Sequence, residues 1–329
     1  MIVMSRLYRN LIHFSCVVTF LIQILTTQAF AAPSASAQTS TSDFFKSGVE
    51  KIQNGDWKQA LVEFTQAIEV NAEKAAAYGN RCLVYIQLGE YSNATDDCTQ
   101  ALQLKPNNAS SVRELGRSPM VANIRASAYL NRGLAYHRQA RYQEAIADFN
   151  QTIKIKPIDY RAYYNRGLAR FEQEDYQQAI ADFNQALQQI PTPQEKTLAT
   201  VYNDRGLAHF QLRNISAAIA DFSLAIRLNA NDSRAYYNRG CICHRQGNYV
   251  GAIRDFTLSI QRSPNQAEAY VNRGIARYQL GYQQAAFEDL RKGAECFCEQ
   301  KEMVAYQQTL NLIKKIQQQS PSTIESETA

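Results

Sequence analysis

What this 329-residue chain lacks narrows its function before any motif is weighed. It has no strong excess of one charge: 35 Lys and Arg stand against 30 Asp and Glu, mixed along the chain, and Arg6 and Arg9 supply part of the surplus. A dedicated nucleic-acid surface clusters positive charge on one face, so no nucleic-acid partner is expected. Histidine is scarce. His137, His209 and His244 have no serine, cysteine or carboxylate beside them in a recognisable nucleophile or metal motif. No glycine-rich phosphate loop is present either. These absences argue against an enzyme, a bound cofactor and a metal site. The apolar stretch from Leu11 to Leu25 is interrupted by His13, Ser15, Thr19 and Gln23. It falls short of the roughly 20 apolar residues that a membrane span needs.

That stretch follows Arg6 and Arg9 and precedes Ala29-Phe30-Ala31, the order of a secretory signal with small residues at its cleavage site. Residues 1–31 are therefore expected to direct export, with no membrane contact after cleavage and with retention as an anchor the rival reading. Residues 32–42 and 319–329 are small and polar and are expected to be a linker and a tail.

The rest is periodic. Tyr-x-Asn-Arg-Gly followed by Ala-Ile-Ala-Asp-Phe recurs, and Gly133 to Gly167, Gly206 to Gly240 and Gly240 to Gly274 are each 34 residues apart. Seven units follow: 41–74, 75–108, 126–159, 160–193, 199–232, 233–266 and 267–300, with an insertion over 109–125 and a shorter one after 193. A fixed period of this length marks stacked units that bury their apolar faces against their neighbours. Within 160–193, Ala162, Tyr163, Gly167, Leu168 and Phe171 recur at helical spacing; after Glu174-Asp175 a second helix follows through Tyr176, Ala179, Ile180, Phe183, Ala186 and Leu187. In such a hairpin the glycine lets the helices approach, and the aromatic 16 residues later fills the space beside it. Thr192-Pro193-Gln194-Glu195 has the form of a capping box and Ser118-Pro119 resembles it, so both insertions read as helix extensions. Residues 299–318 place Met303, Tyr306, Leu310, Ile313 and Ile316 on one face, as a helix capping the array would.

The period, the central glycine, the turn, Tyr176, Ala179, Phe183 and the closing Pro191 resemble tetratricopeptide repeats over about residues 41–300, in a wording similar to bacterial and particularly cyanobacterial arrays. The resemblance implies an all-α, right-handed superhelical solenoid of about seven helix-turn-helix repeats, whose first helices line a concave groove that holds peptides or partner proteins. The residue before the glycine departs from the family. Arg81, Arg132, Arg166, Arg205, Arg239 and Arg273 are followed 16 residues later by Asp97, Asp148, Asp182, Asp221, Asp255 and Asp289, while the first repeat has Ser47. A constant partner predicts an Arg–Asp bridge between the two helices, Arg166–Asp182 and Arg239–Asp255 among them, rather than a stripe of anion-binding arginines.

Cys82 and Cys98 replace the glycine and the aromatic of the second repeat together, which suggests a disulfide, with a pair of buried thiols as the alternative. Cys241-x-Cys243 and Cys296-x-Cys298 read as buried small residues, their spacing being too narrow for a usual zinc site. Candidate partner-binding residues lie on the exposed face of the first helices: a ladder of Asn80, Asn131, Asn165, Asp204, Asn238 and Asn272, with Arg161 and Arg234 as donors and Tyr164 and Tyr237 as anchors. An asparagine amide donates and accepts at once, which suits a peptide backbone; the competing reading is an amide that satisfies its own helix. Leu134 and Leu168 stand where some family members place an asparagine that grips a terminal carboxylate, so that mode is not expected. The reading is an exported scaffold, in a periplasm or thylakoid lumen, holding a protein or peptide partner in its groove. The alternative is a structural or regulatory subunit of an envelope or thylakoid complex, bound through its convex face or terminal helix.

Overall fold

A computed structural model describes residues 41–71, 73–104, 119–191 and 194–319. The segment expected to direct export, nearly all of the expected linker, most of the 109–125 insertion, Thr192-Pro193 and the residues from 320 lie outside the described residues. Among the described residues there are fifteen α-helices and no strand. The chain divides into one unit ending at Pro191 and a second beginning at Thr192. The first holds α1 (Thr41–Gln53), α2 (Trp57–Glu69), α3 (Lys74–Leu88), α4 (Tyr91–Gln103), α5 (Pro119–Arg138), α6 (Tyr142–Ile155), α7 (Tyr160–Glu172) and α8 (Tyr176–Gln189). The second holds α9 (Glu195–Gln211), α10 (Ile215–Leu228), α11 (Ser233–Arg245), α12 (Tyr249–Arg262), α13 (Ala267–Gln279), α14 (Gln283–Glu299) and α15 (Met303–Gln319). Consecutive helices pack as pairs, and within each unit each pair packs on the next.

The pairs interlock at one point. A Cβ built on Gly133 or Gly167 would lie 2.7 Å from the ring of Phe149 or Phe183, and one on Gly48 or Gly206 2.8 Å from Phe64 or Phe222. These rings are essentially fully buried. The second repeat solves the same packing problem covalently: Cys82 and Cys98 form a disulfide, both residues fully buried, with Cα atoms 5.4 Å apart. Two sulfurs fill less space than a ring, and the cross-link offsets part of that loss by restricting the unfolded chain.

The turns between paired helices share a second constraint. Gly55, Gly89, Gly247 and Gly281 take φ between 75° and 83°, and the equivalent places in three other repeats are held by Ala140, Glu174 and Arg213 at φ 58°, 64° and 61°. A left-handed backbone disfavours any residue with a Cβ, so these three turns are strained where the others are not.

The arginine that precedes Cys82, Gly133, Gly167, Gly240 or Gly274 ties the second helix of its own pair to the preceding repeat. Arg81 donates from Nε and Nη2 to the Asp97 carboxylate at 2.6 and 2.9 Å, and Arg239 does the same to Asp255 at 2.8 and 2.9 Å. Arg132–Asp148, Arg166–Asp182, Arg205–Asp221 and Arg273–Asp289 repeat the fork. The hydrogen bonds to the carboxylate raise the guanidinium pKa of Arg81, Arg132, Arg205 and Arg239. Nη1 then reaches back to the preceding repeat: Arg81 to Thr65 at 3.1 Å, Arg132 to Thr99 at 3.0 Å, Arg166 to Asn150, Arg239 to Ser223 at 3.1 Å and Arg273 to Thr257 at 3.0 Å. The guanidiniums of Arg81, Arg132, Arg166, Arg205 and Arg273 also lie over the rings of Tyr78, Tyr129, Tyr163, Tyr202 and Tyr270, at 5.1–5.6 Å from the centroids.

The open end of the second unit is closed by α15, whose Ile313 and Ile316 are buried with Leu290 of α14, while Ala305 joins Ala267, Cys296 and Phe297. Near the ends of α5 and α11, His137 and His244 pack edge-on against Tyr142 and Tyr249, as Phe171 does against Tyr176. Burial, and secondarily the neighbouring Arg138, pulls His137 down to about 4.

Two substitutions of opposite sign check the interlock and the turns. In urea denaturation Gly167→Ala is expected to cost about 1–3 kcal/mol because the added methyl meets the Phe183 ring. Ala140→Gly is expected to gain up to about 1 kcal/mol by relieving the left-handed turn. The pH dependence tests His137. Its folded pKa lies below the unfolded value, so the fold is unaffected above about pH 6.5 and loses stability as pH falls toward 4, by at most about 3 kcal/mol. In His137→Phe, which copies Phe171, that part of the acid-side loss is expected to disappear from the pH profile of the unfolding midpoint.

Candidate functional site

The first helices of the pairs, α1, α3, α5 and α7 in the first unit and α9, α11 and α13 in the second, each carry a face outside the Gly–Phe interlock and the arginine fork. Helical spacing puts Arg161, Asn165, Leu168 and Glu172 on that face of α7, and all four are partly exposed. Asn131 and Leu134 of α5 are partly exposed at the equivalent places.

The charged donors expected there are already engaged. Asp159 accepts the backbone N–H of Arg161 at 3.1 Å, capping α7, and binds its guanidinium at 2.9 and 2.7 Å. Asp232 caps α11 and holds Arg234 in the same way at 3.0, 3.0 and 2.7 Å. The expectation that Arg161 and Arg234 are donors for a partner is corrected on this ground: each is neutralised by the aspartate two residues before it. Tyr164 is corrected as an anchor. Its side chain is buried and its ring lies 5.9 Å from that of Phe183, so it belongs to the core. Tyr237 lies 5.8 Å from the Phe256 ring but remains partly exposed.

The asparagine ladder divides between the units. In the second, Asn238 Nδ2 donates to Asn203 Oδ1 at 2.9 Å, Asn203 Nδ2 donates to Asp204 at 3.1 Å, and Asn272 Nδ2 donates to the Tyr237 hydroxyl at 3.0 Å. Asn203 and Asp204 are buried. These amides form a structural chain in which a residue reaches 35 positions back into the preceding repeat. In the first unit, Asn165 donates to the Arg161 carbonyl of its own helix at 2.7 Å, Asn131 is partly exposed, and Asn80 is buried with its Nδ2 unpartnered.

Other expected residues fall as follows. Cys241 and Cys296 are buried free thiols, Cys243 is intermediate and Cys298 exposed; burial raises the thiol pKa of Cys243 and Cys296. Among the described residues no group of three or more His, Cys, Asp and Glu is placed to hold a metal, and no helix is long and apolar enough to cross a membrane. Sequence reasoning missed Asp159 and Asp232 as counterions and Asn203 as the buried acceptor of the second unit. An Asp-x-Arg at the start of a first helix was the available signal for the former.

Family models for the tetratricopeptide repeat match residues 75–108, 126–159 and 160–193, and residues 203–267. The chain is 30% identical over 145 residues to the translocon at the outer membrane of chloroplasts 64 of Pisum sativum, covering 42% of this chain and 22% of that protein. It is 30% identical over 122 residues to the SGT1 homolog of Homo sapiens, covering 37% of this chain and 29% of that one. The chain thus spans less than a third of the length of these relatives. Among solved structures, a tetratricopeptide repeat protein from Parabacteroides merdae superposes with a TM-score of 0.59 at 18% identity, over 83% of this chain and all of that one. The Pseudomonas aeruginosa pilF protein superposes at 0.54 and 19% identity, over 72% of this chain and 96% of that one. The repeat matches and the paired-helix architecture agree, and the chain belongs to the tetratricopeptide repeat family, whose arrays are scaffolds for protein–protein interaction.

Proposed function

We propose that this chain is an exported scaffold that holds an extended segment of a partner protein along the first helices of its first unit, without chemistry of its own. The observation that carries this reading is the set of partly exposed Asn131, Leu134, Asn165 and Leu168 on α5 and α7, on helices whose other faces are occupied by the interlock and the arginine fork. Apolar side chains there supply contact area, and the amides supply directional bonds. The equivalent amides of the second unit are tied into that unit's own framework.

Export, to a periplasm or thylakoid lumen, is supported by the order of Arg6, Arg9, the apolar stretch and Ala29-Phe30-Ala31. The Cys82–Cys98 disulfide agrees with an oxidising compartment. A second reading rests on α15, whose Met303 and Val304 are 57% and 72% exposed; it makes the terminal helix the contact with a larger assembly.

Affinity capture from a cell-envelope extract separates the two. The wild-type chain is compared with Asn131→Ala/Asn165→Ala and with Met303→Ser/Val304→Ser, the retained proteins being identified by mass spectrometry. Loss of one specific protein in the asparagine variant, and its retention in the α15 variant, is the expected result. The reverse pattern moves the working surface to α15, and retention in both removes both surfaces from consideration.

A further inference from the structure

We propose that the turn edge of repeats six and seven, where the first helix of each pair passes into the second, is a docking site for the chain's own residues 320–329. The inference is independent of the groove reading and concerns the second unit alone. Two large apolar side chains stand exposed on this edge, Val250 at 69% and Tyr282 at 60%. Both break the pattern of the array. Val250 is the second residue of α12, and the second residue of each other second helix is polar: Lys58, Ser92, Gln143, Gln177, Ser216 and Gln284. Tyr282 is the N-cap of α14 and makes no side-chain capping bond, whereas Asp56, Asp175 and Asn248 at the same place each accept a backbone N–H. A tyrosine there forgoes the capping bond and gains little burial, so the framework does not explain it.

The same edge changes sign between the units. Over the ten residues spanning each turn in the first unit, 53–62, 87–96, 138–147 and 172–181, three cations stand against seven acidic residues. Over 211–220, 245–254 and 279–288 in the second, Arg213, Arg245 and Arg254 stand against Glu288. All three arginines are exposed. Arg254 lies one helical turn from Val250 on α12, and its pairing with Asp255 is long, at 3.7 Å, because that carboxylate is already held by the Arg239 fork. Arg213 occupies a left-handed turn at φ 61°, where four other repeats have glycine. Its charge is therefore kept at a backbone cost.

The segment after α15 has the complementary chemistry. Residues 320–329 hold one large apolar side chain, Ile324, followed by Glu325 and Glu327, and no cation. The segment also starts beside this edge. Ile313 and Ile316 of α15 pack with Leu290 and against Tyr278 and Phe287, which flank the turn at Tyr282. α15 ends at Gln319, three residues after Ile316. Five extended residues from there span up to about 17 Å, which puts Tyr282 within reach of Ile324, and eight span up to about 27 Å. α12 and α14 both pack on α13, so their starts lie within about 20 Å of each other and the two glutamates reach repeat six. Ile324 then covers apolar surface at Tyr282 and Val250 while the carboxylates meet Arg245 and Arg254.

Cleavage of the full chain by a glutamyl endopeptidase after Glu325 or Glu327, followed by intact mass, reports the undocked fraction once each rate is divided by that of the free decapeptide of the same sequence. The wild type is expected to be cut about tenfold or more slowly than Val250→Gln/Tyr282→Asn, in which both positions copy other repeats. Ile324→Ser is expected to lose the same protection, and high salt to reduce that of the wild type severalfold. Equal normalised rates in the wild type and both variants overturn the docking. Protection that survives Val250→Gln/Tyr282→Asn places the segment on another surface and overturns the assignment to this edge. Protection that rises with chain concentration places it on a second copy and overturns the docking of each chain on itself. The double variant is expected to fold, since asparagine restores a capping side chain, and far-UV circular dichroism checks this. If it does not fold, Ile324→Ser, beyond the end of α15, decides alone: unchanged protection overturns the docking and its loss supports it.

Discussion

Each unit depends on one buried ion pair repeated at constant height. The carboxylates of Asp182, Asp221 and Asp255 are 2%, 3% and 0% exposed, and each survives without bulk water because a planar guanidinium meets it with two parallel N–H groups. An exposed pair of this type adds at most about 1 kcal/mol. A buried one contributes little against a well-packed apolar alternative, yet loss of one member leaves an uncompensated charge that costs several times as much, about 3–5 kcal/mol. Its value to the array is therefore positional. The fork fixes the height of the second helix against the first, the Gly–Phe interlock fixes their separation, and the third donor of the same arginine fixes the preceding repeat.

That third bond shows how far the sequence could be read. The 34-residue period, the helix pairs and the forward Arg-to-Asp interval all follow from spacing, because a hairpin brings its midpoints together whatever their identity. The same interval of 16 runs backward from Arg81 to Thr65, Arg166 to Asn150, Arg239 to Ser223 and Arg273 to Thr257. It was hidden because threonine, asparagine and serine share no single letter. Arg132 obscures it further, since the insertion stretches its interval to Thr99 to 33. The left-handed turn was legible at Gly55, Gly89, Gly247 and Gly281, and illegible at Ala140, Glu174 and Arg213, where the stacked pairs hold a conformation that local preference disfavours.

The face of the first helices was legible as a face and much less so as a site. Helical periodicity places Arg161, Asn165 and Arg234 there, but it cannot show that Asp159 and Asp232 curl back as cap and counterion together. Nor can it separate Asn238, which spans to Asn203, from Asn80, which spans to nothing, without pairing each residue with the one a repeat earlier. Tyr164 failed as an anchor for a related reason. It sits at the edge of the groove face, and a ring beside Phe183 gains more by joining the core than by remaining in water. The ladder position thus serves as framework between repeats in the second unit, while in the first Asn165 bonds to its own helix and Asn80 Nδ2 has no hydrogen-bond partner.

The central claim, that the arginine fork holds repeats two to seven in place, is tested most directly by Arg239→Met, which keeps the length and apolar stem of the side chain while leaving the fully buried Asp255 without its fork. Urea unfolding at neutral pH, compared with the wild type, is predicted to show a loss of about 3–5 kcal/mol. A change within about 0.5 kcal/mol would contradict the account, since it would place Arg239 among ordinary surface arginines and leave the Gly–Phe interlock to hold the pair alone.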